Sequence, residues 1–265
     1  MRTPATQHDS SLVVEHFDKL SANRDWSHLY SVADGRTYHF HVRRARVLEL
    51  LPEHLGRVVD VGCGPGVMVE AVLERGGTFE GLDLSPEMVQ EATEKFGQLE
   101  GVSFKTGDIE ALDLPDDYAD QLICMAVIEY LKTPDRALEE MARVLRPGGQ
   151  AIITVPKRLH LDRMTISLSA PVRRIARMLG AASADQLPRL CLQPDELDEA
   201  AERAGLIPDG GAQYHFTPFP YPLPRLAPQL FMRLNSSFER FYTTRRTLPS
   251  FLAHGYIGRY RKPTS

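Results

Sequence analysis

The chain has 265 residues, of which 43% are hydrophobic and 25% charged, and its formal net charge is −4. These proportions are typical of a soluble globular protein with a full core, and the absence of an apolar run of about 18 residues argues against a membrane-spanning helix. The cysteines Cys63, Cys124 and Cys191 lack metal-ligand spacing, and their odd number argues against a disulfide framework. The sequence therefore predicts no metal site and, without a secretory signal at its start, a cytoplasmic protein.

The charge is unevenly distributed along the chain. Residues 1–156 carry 15 basic and 26 acidic side chains, a net charge of −11, whereas residues 157–265 carry 16 and 9, a net charge of +7. A basic rear half on an acidic front half is compatible with an anionic substrate, an anionic surface or charge balance within the molecule.

Apolar periodicity predicts two helices, at residues 11–20 and 40–51, ahead of a regular alternation of strands and helices. Strands are predicted at 58–61, 78–82, 102–105, 121–126 and 151–155. The helices between them are predicted at 66–75, from an N-cap at Ser85, and at 134–145. Nearly continuous apolar strands separated by helices indicate a parallel sheet covered on both faces.

The rear third is less regular. Residues 157–180 predict one or two basic amphipathic helices, and 195–205 predict a further helix. A strand at 206–216, a proline-rich irregular segment at 217–228, a helix at 230–242 and a last strand at 255–261 complete the pattern.

A glycine-rich turn follows the first predicted strand, in the sequence Val-Val-Asp-Val-Gly-Cys-Gly-Pro-Gly at residues 58–66. A strand, such a turn and a helix N-terminus bring a ligand against bare backbone. Glycine is required there because a Cβ would obstruct the ligand or clash at positive φ. The dinucleotide fingerprint G-x-G-x-x-G needs its third glycine where this chain has Val67, and Gly66 comes one residue too early.

The block D-x-G-x-G-x-G from Asp60 to Gly66 resembles motif I of the class I S-adenosylmethionine-dependent methyltransferases. Three later segments follow in the order that this family shows, at residues 80–85, 107–110 and 124–130. The resemblance implies a doubly wound, mostly parallel, seven-stranded Rossmann-like α/β sheet with an antiparallel last strand and a helical cap in the C-terminal third. It divides the chain into an N-terminal helical segment over the site (1–56), a cofactor-binding core (57–156) and an acceptor-pocket segment with the closing strands (157–265).

The resemblance also assigns residues to S-adenosylmethionine. Asp83 comes 21 residues after Gly62 and would accept both ribose hydroxyls, the alternative being a helix N-cap. Asp108 would accept from the adenine amino group, with the next backbone amide donating to the ring, unless Asp108 is only a surface turn residue. Arg43, or its neighbour Arg44, would bind the methionyl carboxylate, unless both are solvated helix arginines. The full cofactor set is Arg43, Asp60, Gly62, Cys63, Gly64, Gly66, Asp83, Leu84, Met88, Asp108, Ile109 and Met125.

A general base is harder to predict. Many small-molecule members of the family have Glu-His where this chain has Glu129 and Tyr130, and a tyrosine is a poor base near neutral pH. His160 and His215 follow predicted strands at the edge that faces the ligand, so they and Tyr130 are the candidate catalytic residues. Each histidine also has a purely structural alternative.

The expected function is methyl transfer to the oxygen or nitrogen of a small apolar or aromatic metabolite such as a phenol, quinone precursor or polyketide. Strand four lacks Asn-Pro-Pro-Tyr and the chain is not basic overall, so nucleic acid is not expected as a partner. Residues 163–180 are compatible with a lid or a peripheral membrane contact. A dinucleotide-dependent oxidoreductase and a non-enzymatic adenosyl-ligand scaffold are the alternatives, and the sequence gives no oligomeric state.

Overall fold

The computed structural model describes residues 10–22, 30, 37–160, 187, 189–216, 228–245 and 250–264. The predicted helical cap at 163–180 and most of the proline-rich segment lie outside these residues.

Seven helices and seven strands are assigned within the described ranges, together with short 3-10 turns at Ile128–Tyr130 and Ser250–Leu252. The helices are α1 (Ser10–Ala22), α2 (Tyr38–Leu50), α3 (Val69–Leu73), α4 (Pro86–Phe96), α5 (Asp135–Val144), α6 (Pro194–Arg203) and α7 (Pro228–Arg245). The strands are β1 (Arg57–Val61), β2 (Thr78–Asp83), β3 (Val102–Thr106), β4 (Ala119–Cys124), β5 (Leu145–Pro156), β6 (Ile207–Phe216) and β7 (Ala253–Arg261).

The strands form one seven-stranded sheet in the order β3-β2-β1-β4-β5-β7-β6. Strands β1 to β5 pair in parallel, whereas β7 pairs antiparallel with both β5 and β6. The prediction of a doubly wound, mostly parallel α/β sheet with a reversed last strand is therefore confirmed.

Some predicted boundaries differ from those in the structure. The helix after the glycine-rich turn is only α3, five residues long, because Gly66 adopts φ +76° and the chain first passes through turns. Strand β4 ends at Cys124, and Ala126 then adopts φ +63°, so Met125 and Ala126 lie beyond the strand that was predicted to contain them. Strand β5 begins at Leu145, directly after α5, so it includes residues 146–149, which lie between the predicted helix at 134–145 and the predicted strand at 151–155.

Both faces of the sheet are covered, which explains why its central strands are apolar at successive positions. On one face, α5 and α6 bury residues such as Leu138, Met141 and Leu197 against β4 and β5. On the other face, α2 and α3 bury Val47 and Val72 against alternate residues of β1, β2 and β5. The carboxyl ends of the parallel strands then meet at one edge, where ligands bind in such sheets.

Within the ranges that the structure describes, no helix combines the length and the apolar character that crossing a membrane requires.

Candidate functional site

The glycine loop, residues 62–66, follows β1 and needs glycine for two separate reasons. Gly62, Gly64 and Gly66 adopt φ of +73°, +51° and +76°, where side chains are strained. A Cβ on Gly62 would also lie 2.0 Å from Cγ2 of Val127, in the loop after β4. The absence of a side chain therefore lets the loops after β1 and β4 approach each other.

The backbone amides of the glycine loop are used within the protein. The amides of Gly62 and Cys63 donate to the Leu82 carbonyl at 2.6 and 3.0 Å, and that of Gly64 donates to Oδ2 of Asp83 at 2.8 Å. A fourth amide, that of Gly66, donates to the Cys63 carbonyl at 3.1 Å. A loop that cradles phosphate presents such N–H groups to its ligand, so this loop does not have the arrangement that a pyrophosphate needs.

Two carboxylates lie beside the loop, and one of them has an unsatisfied oxygen. Asp60 in β1 is 1% exposed, and its Oδ1 has no hydrogen-bond partner. Burial, together with the nearby Asp83, raises the pKa of Asp60 to about 8. Burial also raises the pKa of Asp83, although the amides of Ser85 and Gly64 that donate to it oppose the shift. Buried acids without counter-charges favour a cationic ligand over an anionic one.

A cavity opens over the loop at the carboxyl edge of the sheet, and nine of the sequence-predicted site residues line it: Gly62, Gly64, Asp83, Leu84, Met88, Asp108, Ile109, Met125 and Tyr130. Asp60 is buried beside the loop, Cys63 is buried within it, and Gly66 packs near Phe96 and Val69. The structure thus brings together the segments after β1, β2, β3 and β4, as expected from the parallel topology.

For Asp83 the sequence left open the role of a helix N-cap, and for Asp108 that of a surface turn residue; the outcomes for these two acids differ. Ser85 caps α4, because its Oγ accepts from the Met88 amide at 3.1 Å, so Asp83 is not the N-cap residue. Oδ1 of Asp83 instead accepts from the Ser85 amide at 3.0 Å. Asp108 does form a turn, accepting from the Glu110 amide at 2.9 Å, and it lines the cavity as well.

The family resemblance placed residues 1–56 over the site, but it named none of the α1 side chains that line the cavity, which are Val13, Val14 and Phe17. The ring of Phe17 packs edge-on against Tyr130, with centroids 5.2 Å apart. Asp18 on the same helix accepts from the Ser85 hydroxyl at 2.5 Å. The helix itself was predicted from its periodicity, but nothing local in the sequence indicates where it docks.

The two adjacent arginines of α2 have different surroundings. Arg44 donates from Nε to the Val67 carbonyl at 2.9 Å, which ties α2 to the end of the glycine loop. Arg43 is 5% exposed, contacts the Tyr30 hydroxyl at 3.3 Å and leaves its own Nε without a partner. Tyr214 and Glu129 also act electrostatically on Arg43. Arg43 therefore lies among polar groups beside the cavity, outside the set of residues that line it.

The two predicted histidines lie together with two that were not predicted. We define the histidine row as His39, His215, His254 and His160, whose successive ring centroids are 5.8, 5.5 and 4.3 Å apart. His215 lies directly across from His254, between the paired positions Tyr214–Gly255 and Phe216–Ala253 of β6 and β7. His254 carried no sequence signal, because only the antiparallel register places it there.

The candidate bases have unusual protonation equilibria. Burial, assisted by His39, His160 and Arg43, lowers the pKa of His215 to about 3. Burial also lowers the pKa of His254 well below its usual value. Burial and Glu129 raise the pKa of Tyr130. At neutral pH the two imidazoles are therefore uncharged but weakly basic, and the phenol of Tyr130 keeps its proton.

Comparisons with known proteins agree with this geometry. Residues 59–153 match the family described as "Methyltransferase domain". A ubiquinone biosynthesis O-methyltransferase from Aeromonas salmonicida is 28% identical over 167 residues, which cover 61% of this chain and 67% of that relative. The protein of the same name from Alkalilimnicola ehrlichii is 27% identical over 218 residues, covering 78% of this chain and 84% of the relative.

Among solved structures, the magnesium protoporphyrin IX methyltransferase of Synechocystis PCC 6803 with bound S-adenosylhomocysteine aligns with a TM-score of 0.62 and 15% identity. The alignment covers 96% of this chain and all of the other. At that identity the likeness supports the fold.

Proposed function

Because this chain is a class I S-adenosylmethionine-dependent methyltransferase, we propose that it methylates an oxygen or nitrogen atom of a small apolar or aromatic metabolite. The observation that carries the proposal is the apolar face of α1, which lines the cavity with Val13, Val14 and Phe17, the last in contact with Tyr130. A largely apolar, partly aromatic wall suits a small ring system. The relatives named for O-methylation in ubiquinone biosynthesis support the same class of acceptor.

The residues around the cavity fit the cofactor. Asp83 is proposed to hold the ribose, and Asp108 with the Ile109 amide to hold the adenine. The unsatisfied Oδ1 of Asp60 is the proposed counter-charge for the α-ammonium group of the cofactor. The unpartnered Nε of Arg43 is the proposed counter-charge for the carboxylate of the cofactor. When bound, S-adenosylmethionine supplies a methyl group on a sulfonium centre.

The protein's own contribution is to position the acceptor and, for a hydroxyl acceptor, to take a proton. His215 and His160 remain the proposed bases. Tyr130 fits better as a hydrogen-bond donor or a wall of the pocket, since its pKa is raised. The proposal also includes a cytoplasmic location, which the three free cysteines support. It does not include a nucleic acid as partner.

A dinucleotide-dependent oxidoreductase is not favoured. The amides of the glycine loop are already satisfied, and the strand next to β5 is β7, which runs antiparallel to it where a second mononucleotide-binding half would need a parallel strand.

Matched substitutions in β2 test the cofactor site. We expect Asp83→Asn to weaken S-adenosylhomocysteine binding at least about tenfold, because charge-assisted hydrogen bonds to the ribose would lose their charge. Glu80→Gln is the control, since Glu80 binds Tyr118 and Lys105 and lies outside the cavity. Isothermal titration calorimetry measures both affinities, with NAD as the competing ligand. Equal losses in the two variants, or tighter binding of NAD, would contradict the assignment.

The acceptor is tested by measuring S-adenosylhomocysteine formation with a panel of phenols, quinone precursors and amines. Turnover of an apolar or aromatic member supports the proposed class. A protein that binds the cofactor and turns over only a nucleic acid or a protein substrate would refute it.

A further inference from the structure

The histidine row lies at the same edge of the sheet as the cofactor cavity but over its other half. His215 ends β6, His254 begins β7, His160 follows β5, and His39 is on α2. The cavity lies over the segments after β1 to β4. The two regions are joined by Glu129 and Tyr130, because Tyr130 lines the cavity and Glu129 acts on Arg43 beside the row.

One nitrogen atom of the row is buried without a partner. Nδ1 of His215 has no hydrogen-bond partner, although this residue is only 9% exposed. His215 also adopts φ +56°, a strained conformation for a residue other than glycine. Buried polar atoms of this kind are costly unless a ligand or ion satisfies them.

The charged groups around the row have an excess of positive charge. Arg43 and Arg189 act on His254, while Lys157 donates its amide to the His254 carbonyl. From α2 and α7, Arg46 and Glu239 pair at 3.2 Å, and Glu239 also accepts from the Phe216 amide at 2.7 Å.

Glu129, the other carboxylate of this region, faces Arg189 at 3.4 Å. Among the described residues, Arg43 and Arg189 are therefore the cations that act on these rings, and of the two only Arg189 is ion-paired with a carboxylate, which leaves the charge of Arg43 as the excess. The imidazoles consequently have low pKa values in the free protein, because burial and cationic neighbours both oppose their protonation.

We propose that the histidine row binds an anionic group of the methyl acceptor, a carboxylate or a phosphate, through donors at His215 and His254. This inference rests on the proposed function, because it places the acceptor at this edge of the sheet. An oxyanion would satisfy the unpartnered nitrogen of His215 and neutralise the excess positive charge. Its negative charge would also favour the imidazolium form of each ring, which is a charged donor. Because an imidazolium cannot take a proton, His160 is then left as the proposed base for an acceptor of this kind.

The binding step is tested by NMR on the enzyme saturated with S-adenosylhomocysteine and labelled at histidine. Sodium acetate, benzoate, inorganic phosphate and phenyl phosphate are added at constant ionic strength against sodium chloride. The ring resonances of His215 and His254 should shift saturably, with a dissociation constant on the order of 1–10 mM for acetate or phosphate, as a few charged hydrogen bonds provide. The exposed His54 is the internal control and should show no saturable shift.

Substitutions connect the shift to the row. His215→Asn tolerates the positive φ and removes the imidazole, so it should abolish the saturable shift of His254, whereas His54→Gln should leave it intact. Retained S-adenosylhomocysteine binding shows that each variant is folded.

The outcomes separate the two proposals and the two sources of the anion. Tighter binding of benzoate or phenyl phosphate than of acetate or inorganic phosphate supports an anion carried by an organic acceptor. Saturation by inorganic phosphate alone, or no saturable shift with any of the four, overturns the inference while cofactor binding leaves the proposed function standing. Failure to bind S-adenosylhomocysteine at all counts against both.

Discussion

The buried carboxyl of Asp60 makes cofactor binding depend on pH. Its pKa is raised to about 8, first by burial and then by Asp83, so most of the free protein carries a neutral Asp60 at pH 7. If the ionised form is the counter-charge for the cofactor's ammonium group, binding must remove a proton. The cost at pH 7 is about 1.4 kcal/mol, a roughly tenfold loss of affinity relative to an already ionised carboxylate.

The expected affinity for S-adenosylhomocysteine therefore rises with pH. Between pH 6 and pH 7 the association constant should increase about tenfold, and the increase should flatten as the pH approaches 8. Nearly one proton should be released per ligand bound at pH 6.5. Calorimetry in two buffers with different ionisation enthalpies measures both the affinity and the proton count.

Substitutions identify the titrating group. Asp60→Asn cannot ionise, so its profile should be flat and its affinity at pH 7.5 lower than that of the unmodified protein. Asp83→Asn should bind more weakly but keep a slope, because Asp60 still titrates. A flat profile for the unmodified protein, or a slope that persists in Asp60→Asn, would refute the reasoning.

Two further predictions concern the loop and the buried lysine. Gly62→Ala should lower the melting temperature and the affinity for S-adenosylhomocysteine more than Gly76→Ala does. Both glycines have a similar positive φ, +73° and +71°, but only a Cβ at Gly62 would clash with Val127. Equal effects of the two substitutions in thermal unfolding and calorimetry would show that the close approach of the loops after β1 and β4 is unimportant. Lys157 is 1% exposed, and burial lowers its pKa to about 8. Between pH 8 and 10.5 the unfolded chain therefore binds more protons than the folded one, so the free energy of unfolding should rise with pH in this range. Relative to Lys157→Met, the unmodified protein should gain on the order of 1–3 kcal/mol in urea unfolding between pH 7.5 and 10, and parallel curves would contradict this.

The parts of the site that could be predicted are encoded within short stretches of chain. Positive φ at Gly62 and Gly66 is a local backbone requirement, and Ser85 caps the helix that begins at the next residue. The position of Asp83 follows from parallel pairing, because β1 and β2 end at the same edge of the sheet. Residues 58–110 therefore contain most of the information about their own fold.

The parts that were missed depend on contacts between distant stretches. His254 comes to face His215 through the register of β6 against β7, and a shift by one residue would turn its ring to the other face. The docking of Phe17 against Tyr130 likewise depends on where α1 packs. Apolar periodicity predicts that a helix buries one face, but it does not identify the surface that receives it.

The uneven charge along the sequence corresponds to an uneven charge at the site. Strands β1 and β2, from the acidic front part of the chain, place Asp60 and Asp83 beside the cavity, where the cofactor's sulfonium and ammonium groups are positive. The basic rear part supplies His215 and His254 at the ends of β6 and β7. A cationic cofactor and an anionic acceptor would then each bind against its counter-charge. Glu129 supports this separation, because its pairing with Arg189 keeps one carboxylate between the two halves without leaving it free to bind a cation.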